Sequence, residues 1–200
     1  MKTNVIEESR LKFAFSENST VIKFDDTEFY RDYFNKLPES KGVDFISVDK
    51  DKMVFIEVKN CVGDEGNCRS RIVPDNKKRN TSRTTVNVEG RDSLDIEVAQ
   101  KIAMTVAALV GAKSFGSRKE CVKELDRFIK FLSDDKFADD SKKKYVVLFL
   151  EGNFEGYTRT KKMIMKALQD SINKKLRWIN CRVSVVDSDT YDSRMFRIMK

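Results

Sequence analysis

The chain has 200 residues, with 39 Lys and Arg against 32 Asp and Glu for a net charge of +7, 40% hydrophobic residues and no histidine. That length fits one folded domain, and an apolar share that includes 14 Phe excludes intrinsic disorder. Without histidine there is no Ser-His-Asp triad, no Cys-His dyad and no imidazole-bound zinc or haem. Chemistry must come from carboxylates, Lys, Cys, Tyr, Ser or Thr, with or without a metal that takes oxygen ligands.

No apolar run approaches the roughly 18 residues of a membrane-spanning helix. The opening Met1-Lys2-Thr3-Asn4 leads into charged sequence rather than an apolar signal core. The expectation is a cytoplasmic protein with no membrane partner, whose Cys61, Cys68, Cys121 and Cys181 are free thiols.

In chain order, the apolar-rich runs 10–15 and 20–24, separated by Ser16-Glu17-Asn18-Ser19, predict a hairpin. Asp25-Asp26-Thr27 offers cap chemistry for a helix over 26–37, which Pro38 stops. Strands are predicted at 43–48 and 53–60; both are rich in Val, Ile and Phe on both faces, the mark of central strands covered on each side. Residues 61–93 lack periodicity and read as a long basic insertion. Helices are predicted at 94–110, 118–133 and 159–177, and strands at 145–150 and 182–186. The alternation of helix and strand in the second half points to a partly parallel α/β sheet.

The hairpin at 43–60 carries the chemistry. With its turn centred between Lys50 and Asp51, facing residues sum to 101, so Val48 faces Met53 and Asp44 faces Glu57. Side chains alternate along a strand, which puts Asp44, Glu57 and Lys59 on one face at one end of a buried sheet. Facing residues have Cβ atoms about 4.5–5.5 Å apart, and two carboxylates that close, flanked by apolar residues, repel strongly. A hard divalent cation between them resolves the conflict, and Mg²⁺ or Mn²⁺ suits such oxygen ligands.

Gly42-Val43-Asp44 followed by Ile56-Glu57-Val58-Lys59 resembles the signature of the PD-(D/E)xK nuclease superfamily. In that family an Asp opens one strand and a (D/E)xK triplet lies on the next; Val43 stands where the family has Pro. The order of elements over residues 20–150 is similar as well. The resemblance implies an α/β protein with a restriction-endonuclease-like αβββαβ core, a mixed central sheet flanked by helices, and a C-terminal helix–strand extension, all within one domain over 1–200.

It also implies a hydrolase that cuts phosphodiester bonds with Mg²⁺ or Mn²⁺. Asp44, Glu57 and the Val58 carbonyl would hold the metal, and Asp44, Glu57 and Lys59 would form the catalytic set. The family often adds an acid from the first helix, for which Asp26 and Glu28 stand in range, and a Gln or Lys from the helix after the triplet, where Gln100 and Lys101 fall. Glu28 points nearly opposite the apolar face of its helix.

The partner implied is nucleic acid, DNA rather than RNA by analogy alone. Arg69, Arg71, Lys77, Lys78, Arg79 and Arg83 of the insertion are candidate backbone contacts. So are Lys161 and Lys162 on a helix with seven bases and one acid over 159–177. Two other readings stay open: a nucleic-acid-binding module of the same fold without turnover, and a basic α/β interaction domain. A homodimer is likewise left open.

Overall fold

The computed structural model describes residues 4–76, 91–116, 119–133, 143–155 and 159–199. Its strands are β1 (Asn4–Glu8), β2 (Leu11–Phe15), β3 (Thr20–Lys23), β4 (Phe45–Val48), β5 (Lys52–Asn60), β6 (Lys143–Glu151), β7 (Arg182–Val186) and β8 (Arg197–Met199). The helices are α1 (Glu28–Asp32), α2 (Glu65–Cys68), α3 (Leu94–Phe115), α4 (Asp126–Ser133) and α5 (Lys161–Lys175). The protein is mixed α/β, with a five-stranded sheet in the order β3-β4-β5-β6-β7 and a three-stranded sheet in the order β1-β2-β8. In the larger sheet β3, β4 and β5 run antiparallel in succession, while β5, β6 and β7 run parallel.

The central strands are apolar on both faces because both faces are covered. Ile46, Val48, Met53 and Phe55 join the core formed with α3, α4 and α5. Phe45, Val54, Ile56 and Val58 face the small sheet, where Phe13 meets Phe45, Phe149 and Phe196 edge-on at centroid distances of 5.3, 5.3 and 5.5 Å. T-shaped packing of this kind adds to the burial of the rings themselves.

The β4–β5 register matches the expected one: Val48 pairs with Met53 and Phe45 with Ile56. The turn is fixed by Asp49, whose Oδ1 accepts from the backbone N–H of Asp51 and Lys52 at 2.8 and 2.9 Å. Such a side-chain-to-backbone turn is what Asp favours. The strands expected at 145–150 and 182–186, and the helix expected from 94, are present.

Four expectations are corrected. The runs at 10–15 and 20–24 do not pair: β2 folds back on β1 through Ser9 and Arg10, both at positive φ (51° and 66°), and β3 joins β4 in the other sheet. A two-residue turn with both residues left-handed matches the twist of antiparallel strands, so β2 has a nearer partner than β3. The first helix is only α1, capped by the Thr27 hydroxyl, which accepts from Tyr30 N–H at 3.2 Å; a 3-10 turn over Phe34–Lys36 follows. The helix expected at 118–133 is a 3-10 segment, Glu120–Leu125, leading into α4. Within the insertion, α2 and the turns that follow it to Asn76 pack against the start of α3, with Leu94 N–H donating to the Arg71 carbonyl at 2.8 Å.

Candidate functional site

Asp44 stands one residue ahead of β4, and its position is fixed from several sides. Phe24 N–H donates to its carbonyl at 3.1 Å, continuing the β3–β4 ladder. Next door, Val43 N–H donates to Thr105 Oγ1 on α3 at 3.1 Å. Gly42 lets the chain pass: a Cβ there would lie 2.8 Å from the Phe24 ring and 3.0 Å from that of Tyr30. The Asp44 side chain crosses to β5, where Oδ2 accepts from Val58 N–H at 2.7 Å.

Continuing the β4–β5 register by one pair places Glu57 opposite Asp44, on the face that packs against α3. Glu57 has no exposed surface and Asp44 is buried. Lys101, on α3, supplies compensation. Its ammonium donates to Glu57 Oε1 and Oε2 at 2.7 and 2.9 Å and reaches Asp44 Oδ1 at 3.4 Å. From two residues further along β5, Lys59 lies 3.0 Å from Glu57 Oε1 and 3.1 Å from Glu97 Oε1. Glu97 in turn pairs with Arg71. The result is a ladder of alternating charge running Asp44, Lys101, Glu57, Lys59, Glu97, Arg71.

Electrostatics follow from this order. Burial, with the Asp44 charge second, pushes the Glu57 carboxyl up to about 7 against the opposing pull of Lys59 and Lys101. Burial alone would lower Lys101 and Lys59, yet the neighbouring carboxylates hold both ammonium groups above the ordinary lysine value. Burial would raise Glu97, but Lys59 and Arg71 hold it below the usual carboxylate range. Asp25 is pushed up to about 6 by burial first and Asp44 second, and its Oδ1 is buried with no hydrogen-bond partner among the described residues.

Of the residues singled out in the sequence, Asp44, Glu57, Lys59 and Lys101 come together, and the Val58 backbone joins them. The others do not. Asp26 is exposed, 4.0 Å from Arg31, and Glu28 is exposed on the outer side of α1. Gln100 points to solvent, where its Oε1 accepts from Lys41 at 2.7 Å. Arg69 and Lys162 are exposed, but Arg71 is buried against Glu97, so it supports the site rather than presenting its charge to a backbone. Lys161 pairs with Asp187 at 2.5 Å. Lys77, Lys78, Arg79 and Arg83 lie outside the described residues.

Two participants, Glu97 and Asp25, escape the sequence reading. Glu97 lies one helical turn before Lys101 on α3, and that i, i+4 spacing is the signal available for it. Asp25 read as part of a helix cap. Among the described residues, no three His, Cys, Asp or Glu side chains converge to hold a metal. Two carboxylates nonetheless suit Mg²⁺, which keeps several waters and needs only one or two protein carboxylates beside a substrate phosphate.

Residues 27–200 match the model of a family of unknown function, DUF6661, and the chain belongs to that family. No curated protein and no solved structure matches the chain.

Proposed function

We propose that this protein is a metal-dependent nuclease with a restriction-endonuclease-like core. The observation that carries the reading is the placement of Asp44 and Glu57 across adjacent strands, with Lys59 on the same buried face. The order of elements supports it: three antiparallel strands, a long helix, then β6 parallel to β5. One departure is that α1 lies between β3 and β4 rather than ahead of the antiparallel set.

In this reading Asp44 Oδ1 and Glu57 hold Mg²⁺ or Mn²⁺. The N–H and C=O of a strand residue point to the same edge. Val58, whose N–H reaches Asp44, therefore turns its carbonyl toward the same place. When bound, the ion supplies a Lewis acid and a water of lowered pKa. Lys59, steadied by Glu97, would place its positive charge beside the ion's site and offset charge that builds on the phosphate. Glu57 excludes bulk water from its own oxygens by complete burial. Exposed Arg69 and Lys162, together with the bases of the insertion, would meet the nucleic-acid backbone. DNA is the substrate favoured, by analogy.

A non-catalytic nucleic-acid-binding module is the second reading, favoured by one observation: Lys101 and Lys59 already neutralise the paired carboxylates. Cleavage of plasmid and of RNA oligonucleotides in Mn²⁺ separates the two. The nuclease reading expects cutting by the wild type, abolished by EDTA and by Glu57→Gln or Asp44→Asn. Equal cutting by wild type and variants refutes the site. Salt-sensitive binding without divalent-dependent cutting of any substrate supports the module.

A further inference from the structure

We propose that Lys101 is an exchangeable counter-cation: its ammonium holds Asp44 and Glu57 together in the metal-free protein and gives up that place when a divalent ion enters. This rests on the metal-dependent reading above and adds a step to it.

The geometry is that of a cation site already filled from within. One ammonium touches both oxygens of Glu57, at 2.7 and 2.9 Å, and Asp44 Oδ1 at 3.4 Å. A divalent ion bridging the same two carboxylates would need oxygen distances of roughly 2.0–2.6 Å. Ammonium and ion would then be within a few ångströms of each other, like charges in a largely buried site, so one must leave. Lys101 is the one free to go. Among the described residues its ion pairs are with these two carboxylates alone, and it sits on a flexible four-carbon stem. Lys59, by contrast, is shared between Glu57 and Glu97, and Glu97 is anchored by Arg71. The backbone beneath Lys101 is fixed by buried Ile102 and by the Thr105–Val43 hydrogen bond, so the exchange is a side-chain rotation and leaves the sheet unmoved.

The exchange links two binding events. A divalent ion that replaces a single charge leaves the site one charge more positive, and the released ammonium stays at the mouth of the site. Both favour an incoming phosphate. Without the ion, Lys101 keeps the carboxylates neutralised and the site closed to one.

The test uses Mn²⁺ alone, without nucleic acid, on the full chain. Calorimetric titration and thermal melts compare wild type with Lys101→Met, which keeps the stem and loses the charge. The expected result is a lower melting temperature for the variant in EDTA and Mn²⁺ affinity raised about tenfold or more, equivalent to about 1.4 kcal/mol. A second measurement needs no variant: lysine acetylation mapped by mass spectrometry should show Lys101 of the wild type protected in EDTA and labelled faster in Mn²⁺, with Lys59 unchanged. Equal or weaker Mn²⁺ binding by the variant, or Lys101 labelling indifferent to Mn²⁺ that does bind, overturns the exchange and leaves the metal reading standing. Absence of Mn²⁺ binding by both proteins overturns the two together.

Discussion

Replacing Glu57 by Gln in metal-free protein tests the electrostatics of the site most directly. The Glu57 carboxyl is raised from an ordinary 4.5 to about 7, chiefly by burial. Between those values the folded chain keeps a proton that the unfolded chain has released, so stability falls as pH rises through the window. At about 1.4 kcal/mol per pH unit, the full window costs the wild type roughly 3 kcal/mol. Glutamine resembles protonated glutamic acid, so the two proteins should melt together near pH 4.5. The variant should then pull ahead as pH rises and level off above about 7.5. For a chain of this size, roughly 3 kcal/mol corresponds to about 6–12 °C. Every other titrating group is shared, so the difference between the two melting curves isolates Glu57 and the groups coupled to it. Scanning calorimetry in EDTA from pH 4.5 to 8 is the assay. A difference that is flat with pH, or one in which the wild type gains on the variant, would mean that Lys59 and Lys101 outweigh burial, and the account of a strained carboxylate pair would be wrong.

Two further outcomes are expected. Asp25→Asn removes a carboxyl that burial and Asp44 push up to about 6. In EDTA the variant should gain melting temperature over wild type as pH rises from 4 to 7; a constant offset across that range would contradict it. Asp95, fully buried at the start of α3, accepts from Ser171 Oγ at 2.7 Å, Lys175 Nζ at 2.8 Å and Asp75 N–H at 3.1 Å. Asp95→Ala strips these donors of their shared acceptor and should cost about 3–5 kcal/mol in urea unfolding; a loss below about 1 kcal/mol would show that water replaces it.

What could be read from the chain was whatever a local pattern determines. The β4–β5 register followed from one turn and the alternation of side chains, because Asp49 closes that turn within three residues. The same arithmetic placed Asp44, Glu57 and Lys59 on one face. What stayed hidden depends on contacts between distant segments. β8 is three residues long, too short for an alternating pattern to show, and it becomes a strand only because Lys12, Phe13 and Ala14 offer it an edge. The hydrogen bond between Lys101 and Glu57 depends on how α3 is rotated over the sheet, which buried Val98, Ile102 and Thr105 set together. Arg71 reads as one more loop charge because its partner, Glu97, lies 26 residues away on another element.

The charge ladder is harder to explain as structure than as a site. Buried ion pairs seldom repay the cost of desolvating both partners, and apolar residues of similar volume often serve stability as well or better. On the same face of the same strands, Ile46, Val48, Met53 and Phe55 show that such replacements are accommodated a few residues away. The change from apolar to charged residues falls in the last residues of β5, toward the carboxyl end it shares with parallel β6. In open α/β sheets, that end is where loops leave a crevice for ligands. Stability alone would have extended the apolar run to the end of the strand. A ladder placed there, with one carboxyl raised to about 7 and a lysine bridging two acids, is the arrangement expected where the protein exchanges charge with something it binds.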